Sequence, residues 1–268
     1  MSAKIKSVLW EAPLHTLAKI SILRAYLSRW FGIFGRSRPR QNLWYVDGFA
    51  GPGEYTNSPS GSPVAAIASA SEALQSVGSQ WKAGKIHCVF IEHDAKRFDH
   101  LINKLGSSVG NPNIETHFFN LPFVDGLTAL KDQIPNPFSP ASPLFAFIDP
   151  FGAKGVPFAD IKDLLSRNAA EVLINFDSDG IGRIFRAEEA ANHEPILNGI
   201  FGDDSWKTDW LNIEFRMSYI VASWTYTSKN YAHCRRCIMF LLSRCAPQRT
   251  SSTTIWYLQA SIISGWRK

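Results

Sequence analysis

The stretch NLWYVDGFAGPGEY, residues 42–55, is the part of the sequence that decides the fold. It begins with an apolar run, LWYV, of the kind that forms a buried strand, and it continues into a turn with three glycines. Glycine lets a chain turn tightly and lets the backbone come close to a ligand, which a larger side chain prevents. The stretch therefore predicts a buried β-strand that is followed by a ligand-binding turn.

Strand-like and helix-like segments alternate along the chain after this turn. The apolar runs lie at 85–94, 114–119, 143–152 and 171–176, and the helical segments at 62–74, 95–105, 124–134 and 158–167. This alternation is typical of βαβ units, and nearly continuous apolar strands indicate a sheet that is covered on both faces. The sequence therefore predicts an α/β fold with a Rossmann-like parallel sheet.

An amphipathic helix is predicted before the sheet, over residues 13–35. Apolar residues recur there at helical spacing, and Lys19, Arg24 and Arg29 fall between them. We expect this helix to pack on the main domain, the alternative being a helix that docks a partner. The expected organisation is an N-terminal helix over 1–40, a cofactor-binding domain over 41–225 and an atypical basic tail over 226–268.

The charge of the chain is unevenly distributed. The formal net charge is +5, but residues 1–40 and residues 229–268 each carry +7, while the middle carries −9. A basic protein often binds a polyanion, but here the basic excess lies at the two ends, so net charge is weak evidence for nucleic acid. No apolar run approaches the roughly 18 residues of a membrane span, and four cysteines are too few for a disulfide scaffold. These features predict a cytoplasmic protein without a membrane segment.

The C-terminal tail has an unusual composition. Residues 215–268 contain no Asp or Glu, and HCRRC at 233–237 contains a single C-x-x-C pair. Structural zinc usually needs four Cys or His ligands in paired spacing, so we predict no metal site. We hypothesise that residues 229–268 are translated out of the ancestral reading frame.

Polar residues stand where several predicted strands end, and ligands of doubly wound sheets bind outside those ends. Glu92, after the second strand, could accept both hydroxyls of a ribose, the alternative being a solvated acid. Asn120, after the third strand, offers a donor and an acceptor that could read an adenine edge. These positions predict a nucleoside site at the carboxyl ends of the strands.

The fourth strand ends in Asp149, Pro150 and Phe151. Asp149 could accept a hydrogen bond from a substrate amine, and Phe151 could stack on a planar substrate. At Asn120 and at Asp149 the alternative is an ordinary strand-to-loop turn, in which these residue types are common.

The glycine spacing argues against a dinucleotide ligand. The dinucleotide fingerprint is G-x-G-x-x-G, with an acid about 20 residues further on. Here the order is Gly48, Gly51 and Gly53, and the next acid at a strand end is Glu92, nearly 40 residues after Gly53.

The four strand ends together resemble the class I methyltransferases that use S-adenosylmethionine. The matching features are D-x-F-A-G-P-G at 47–53, the acid after the second strand, the polar residue after the third and D-P-F after the fourth. The resemblance implies cofactor binding at Asp47, Phe49, Gly51, Gly53, Glu92 and Asn120, and substrate binding at Asp149, Pro150 and Phe151. D-P-F-G departs from the D/N-P-P-Y/F motif of amino-methyltransferases that act on bases, because the second proline is missing.

A closer resemblance covers about residues 7–225. The segments that carry it are W-x-x-P-L-H at 10–15, FAGPGEY at 49–55, G-S-P-x-A at 61–65, FIDPFGAKGVPF at 147–158 and LINF at 173–176. They are similar to the three-Cys-motif partner (TcmP) family of bacteria. That resemblance implies a methyltransferase-like fold and, as partner, a Gp37/Gp68-type phage protein that bears three cysteines.

The sequence leaves two functions open. One is an S-adenosylmethionine-dependent methyltransferase-like enzyme that acts on a nucleic acid or a nucleobase. The other is a non-catalytic partner or scaffold of the three-cysteine protein.

Overall fold

The structure is a computed structural model that describes residues 7–106, 110–133, 139, 141–150, 156–165, 169–176, 184, 193–204 and 237–241. The helices are α1 (Leu14–Ser37), α2 (Ser62–Val77), α3 (Ala95–Gly106), α4 (Phe123–Gln133), α5 (Phe158–Leu165) and α6 (Glu194–Phe201). The strands are β1 (Leu43–Asp47), β2 (Ile86–Ile91), β3 (Ile114–Phe119), β4 (Leu144–Ile148), β5 (Ala170–Phe176) and β6 (Cys237–Leu241). Strands and helices alternate from β1 to β5, which confirms the α/β prediction.

The sheet is parallel, and its first strand lies in the middle. β1 pairs with β2 on one side and with β4 on the other, and β2 also pairs with β3. At the start of β5 the Leu144 N–H donates to the carbonyl of Ala169 at 3.0 Å, which extends the order to β3-β2-β1-β4-β5. This order belongs to doubly wound sheets, so the predicted Rossmann-like fold is confirmed.

The chain divides into two compact units. The first unit comprises Met1–Ile148 and Ser166–Glu171, and the second comprises Asp149–Leu165 and Val172–Lys268. Within the second unit α5 contacts α6, and β5 pairs in parallel with β6. The sequence did not predict β6, which lies inside the basic tail. Among the described residues, no helix has the length and hydrophobicity that crossing a membrane requires.

Helix α1 is part of the core of the first unit. It packs against α2, and Leu23, Leu27 and Phe31 are fully buried along one of its faces. Trp30 on the same helix meets Phe145 of β4 with the ring centroids 5.9 Å apart. The predicted amphipathic helix therefore exists, and its apolar face covers the sheet instead of facing solvent.

The position of α1 leads to a first prediction. Phe31→Ala should lower the free energy of unfolding by about 3–5 kcal/mol, because it removes a fully buried ring and leaves a cavity. Ile33→Ala is the matched control, since Ile33 is 60% exposed on the same helix and should change stability by less than about 0.5 kcal/mol. Urea unfolding measures both, and equal effects of the two substitutions would contradict the packing of α1.

Candidate functional site

The glycine-rich turn after β1 is held against the end of β2 by one buried carboxylate. The Gly51 N–H donates to Glu92 Oε2 at 2.8 Å, and the Asp94 N–H donates to Glu92 Oε1 at 2.7 Å. The Ala50 N–H donates to the carbonyl of Ile91 at 2.9 Å. Glu92 is only 6% exposed. Its carboxylate therefore joins the turn to the segment that follows β2.

Gly51 and Gly53 both adopt the left-handed backbone conformation, with φ angles of 63° and 85°. The φ of Gly53 disfavours any larger residue, and a Cβ there would also lie 2.9 Å from Leu101 Cδ1, which would have to shift. Within the part of the chain that the structure describes, a Cβ on Gly51 would meet no atom within 4 Å. The space beside the Gly51 backbone is therefore open to a ligand.

Helix α2 begins directly against the turn. The Gly61 N–H donates to the carbonyl of Gly53 at 2.6 Å, and a Cβ on Gly61 would lie 2.8 Å from the Gly53 carbonyl carbon. Pro63 occupies the first turn of the helix, where a missing N–H costs nothing. The G-S-P segment at the start of α2 therefore also holds the turn in place.

Glu54 connects the turn to α3. Its Oε1 lies 2.9 Å from His100 Nε2, and its Oε2 accepts a hydrogen bond from Lys104 Nζ. The Lys104 ammonium, and after it His100, hold the pKa of the Glu54 carboxyl below its ordinary value. The contacts of Glu54 with His100 and Lys104 therefore hold the turn against α3.

The N-terminal segment packs on the loop that follows the turn. Asn57 donates to the carbonyl of Ala12 at 3.0 Å and accepts from the Ala12 N–H at 2.8 Å. The Thr56 N–H donates to the carbonyl of Trp10 at 3.0 Å, and the Trp10 ring meets Tyr55 edge-on at 5.3 Å. Two of the segments that carry the TcmP resemblance, W-x-x-P-L-H and FAGPGEY, are therefore in contact.

Asp47 is the last residue of β1, directly before the turn, and it is fully buried. Its Oδ2 accepts from the Tyr45 hydroxyl at 3.2 Å, and its Oδ1 accepts from the Phe49 N–H at 3.3 Å. Burial, together with the Asp47 charge, raises the pKa of Tyr45 well above its ordinary value. The Phe49 ring is half-buried and stacks on Phe123 with the centroids 5.5 Å apart.

Asn120 follows β3 and is exposed. Its Nδ2 donates to the carbonyls of Glu92 and His93 at 2.8 and 3.2 Å. The amino group of the side chain is therefore used inside the protein, and the Oδ1 oxygen is the atom that could bind a ligand. The sequence had predicted that both groups could read an adenine edge.

Asp149 and Asn175 form a pair in the second unit. Asn175 Nδ2 donates to Asp149 Oδ1 at 2.5 Å, while Asn175 Oδ1 is buried without a hydrogen-bond partner among the described residues. Asp149 and Pro150 are half-buried. The predicted substrate residue Phe151 lies outside the described residues. The predicted site residues therefore fall into a turn group in the first unit and an Asp149 group in the second.

A third group was missed by the sequence analysis. His87 on β2 faces Glu115 and His117 on β3, because His87 is the register partner of Glu115 and residues two apart in a strand share a face. His87 Nδ1 lies 3.0 Å from His117 Nε2 and 3.3 Å from Glu115 Oε2. The signal in the sequence was E-T-H in one strand and a histidine in its neighbour. It becomes visible only when the register of the two strands is known.

Comparison with known proteins gives no assignment. No protein-family model matches this chain, and no curated protein matches it. The likeness to methyltransferases and to the TcmP family thus rests on the motifs themselves.

The carboxylate of Glu92 gives the second prediction. Glu92→Gln should lower the free energy of unfolding by about 1–3 kcal/mol, because an amide can accept from only one of the two backbone N–H groups. The amide of Gly51 should also exchange its hydrogen faster. Glu11→Gln, at an exposed acid, is the control and should change neither quantity. Unchanged stability and exchange in Glu92→Gln would show that this carboxylate does not hold the turn.

The third prediction concerns the pH dependence of the Glu54 ion pair. Because its pKa is lowered in the folded protein, Glu54 adds stability above the ordinary carboxyl pKa of about 4.5 and loses this contribution as the pH falls below it. Glu54→Gln should therefore cost roughly 1 kcal/mol at pH 7 and much less in acid. Asp99→Asn on the exposed side of α3 is the control. Urea unfolding across the acidic range measures the difference, and a cost that is independent of pH contradicts the prediction.

Proposed function

We propose that this chain is an S-adenosylmethionine-binding, methyltransferase-like protein that transfers a methyl group to an amine of a nucleic acid or a nucleobase. The observation that carries the proposal is the open Gly51 backbone beside the buried Glu92 carboxylate. Both stand at the carboxyl ends of the central strands of a doubly wound sheet, where the ligands of such sheets bind.

The residues of the turn fit a nucleoside cofactor. Each oxygen of Glu92 accepts one backbone N–H, and a carboxylate oxygen carries two lone pairs, so acceptor capacity remains for the hydroxyls of a ribose. The Oδ1 of Asn120 could accept from the exocyclic amino group of an adenine. S-adenosylmethionine would supply the methyl group, and Gly51, Glu92 and Asn120 are the residues that would hold the cofactor.

The second unit offers a place for an acceptor amine. An amine carries more than one N–H, and Asp149 with Asn175 Oδ1 presents acceptors for two of them. The buried Asn175 Oδ1 without a partner among the described residues supports this role, because such an oxygen costs stability until a donor reaches it. Asp149 orients the amine and does not act as a strong base. The main contribution of a protein to methyl transfer is positioning, and Asp149 and Asn175 would supply it for the amine.

A second candidate function is that of a non-catalytic partner or scaffold of a Gp37/Gp68-type three-cysteine protein. Glu92 and Asn120 both bind the protein's own backbone, so their positions are also explained without any ligand. That observation favours a turn which stabilises the fold and presents a surface to a partner.

Cofactor binding is the fourth prediction. Calorimetry should show binding of S-adenosylmethionine and no binding of NAD. Gly51→Ala should weaken the affinity at least tenfold, because its methyl group enters the open space beside the turn. Gly78→Ala is the control: Gly78 also has a positive φ, and no atom of the described residues would lie within 4 Å of its Cβ, so this substitution strains the backbone away from the turn.

The outcomes separate the two candidate functions. If S-adenosylmethionine does not bind, or if Gly51→Ala and Gly78→Ala bind it equally, the first proposal fails. Asp149→Asn should retain cofactor binding and lose methyl transfer to nucleic acid. Co-purification with the three-cysteine protein, without methyl transfer in the wild type, would support the scaffold.

A further inference from the structure

Three potential metal ligands meet on one face of the first unit's sheet, in its amino-terminal half. His87 and Glu115 are the second residues of β2 and β3, and His117 lies two residues further along β3. One ligand atom from each side chain lies within 4.8 Å of the other two. Glu92 lies five positions after His87 in the chain, which corresponds to roughly 16 Å of extended strand. The group is therefore distinct from the turn that we assign to the cofactor.

Two of the three separations between these atoms are close to those around a small metal ion. Two ligands of a tetrahedral ion with bonds of about 2.0–2.1 Å lie roughly 3.3–3.4 Å apart. His87 Nδ1 lies 3.3 Å from Glu115 Oε2 and 3.0 Å from His117 Nε2. Ligand atoms of Glu115 and His117, the third pair, lie within 4.8 Å of each other, so these two side chains would approach each other to share an ion.

We propose that His87, Glu115 and His117 bind a divalent transition-metal ion of the zinc type, which cross-links β2 to β3. Imidazole nitrogens and a carboxylate oxygen are ligands that zinc accepts, and three protein ligands leave a fourth position for water. The ligand atoms are His87 Nδ1, His117 Nε2 and Glu115 Oε2.

Neighbouring side chains orient His87 and Glu115 toward each other. The Trp44 ring stacks on the His87 ring, with the centroids 4.1 Å apart and the planes 10° apart, which fixes the orientation of the imidazole. Lys85 pairs with Oε1 of Glu115 and leaves Oε2 turned to His87.

A hydrogen-bonded histidine pair is the competing explanation. A proton between His87 Nδ1 and His117 Nε2 would also account for their 3.0 Å separation. In that arrangement the Glu115 oxygen, 3.3 Å from the same nitrogen, is a second acceptor for one N–H, whereas a shared ion would bind all three atoms. A metal titration distinguishes the two.

The test is a titration of the full chain with Co²⁺, followed by displacement with Zn²⁺. The wild type should bind one Co²⁺ with visible d–d absorption, which Zn²⁺ should abolish. Glu115→Gln and His117→Ala should each weaken binding at least tenfold. Both substitutions alter partly exposed side chains and should leave the fold intact, which circular dichroism checks. His87 is left unchanged because it is buried. His93→Ala, at an exposed histidine outside the group, should bind as the wild type does.

The C-x-x-C pair at 234–237 is another source of ligands, and Cys237→Ser controls for that pair. The proposal is supported when binding survives Cys237→Ser and is lost in His117→Ala. It is overturned when the wild type binds no Co²⁺, when Glu115→Gln and His117→Ala bind as well as the wild type, or when only Cys237→Ser loses binding. As an independent measurement, Zn²⁺ should raise the melting temperature of the wild type and not that of His117→Ala. A rise of equal size in both proteins would also overturn the proposal.

Discussion

The two hydrogen bonds that the Glu92 carboxylate accepts are the interactions on which the candidate site depends. A carboxylate is expensive to bury unless donors surround it, and here the donors are the N–H groups of Gly51 and Asp94. The bond from Gly51 also satisfies a buried N–H of the turn. The turn and the segment after β2 therefore stabilise each other, and the open space beside Gly51 exists because both are fixed. Glu54 and Gly61 hold the same turn through contacts with α3 and at the start of α2.

A polar residue at the end of a strand does not by itself make a ligand site. A polar side chain at the end of a strand first satisfies the backbone around it, as Asn120 does with the carbonyls of Glu92 and His93. Only the atoms that remain after these bonds are counted can serve a ligand. For Asn120 that is one oxygen, and for Glu92 it is the unused lone pairs. Asp47, fully buried between Tyr45 and Phe49, supports the turn from below.

Most of the fold could be predicted from the sequence because its signals are local. The apolar runs gave the strands, and the predicted segment 114–119 coincides with β3. Helix α6 was missed although Pro195 in its first turn and the left-handed Gly202 after its end are ordinary helix boundaries. The pairing of Asp149 with Asn175, and the meeting of His87 with Glu115 and His117, could not be predicted. Each depends on which strands are neighbours and in what register, and that information is not local.

The residues of β3 make sense when its place in the sheet is considered. Within the described residues β3 pairs only with β2, so it forms an edge of the sheet, where an exposed ladder invites pairing with other chains. Its middle residues are only half-buried, and two of them, Glu115 and His117, are polar side chains on one face. Lys85 adds a charge beside them. Polar groups at an edge oppose aggregation without any ligand, but they need not converge to do so. Protection of the edge therefore explains why these residues are polar. It does not explain why two imidazole nitrogens and a carboxylate oxygen lie close together, which the proposed metal ion would.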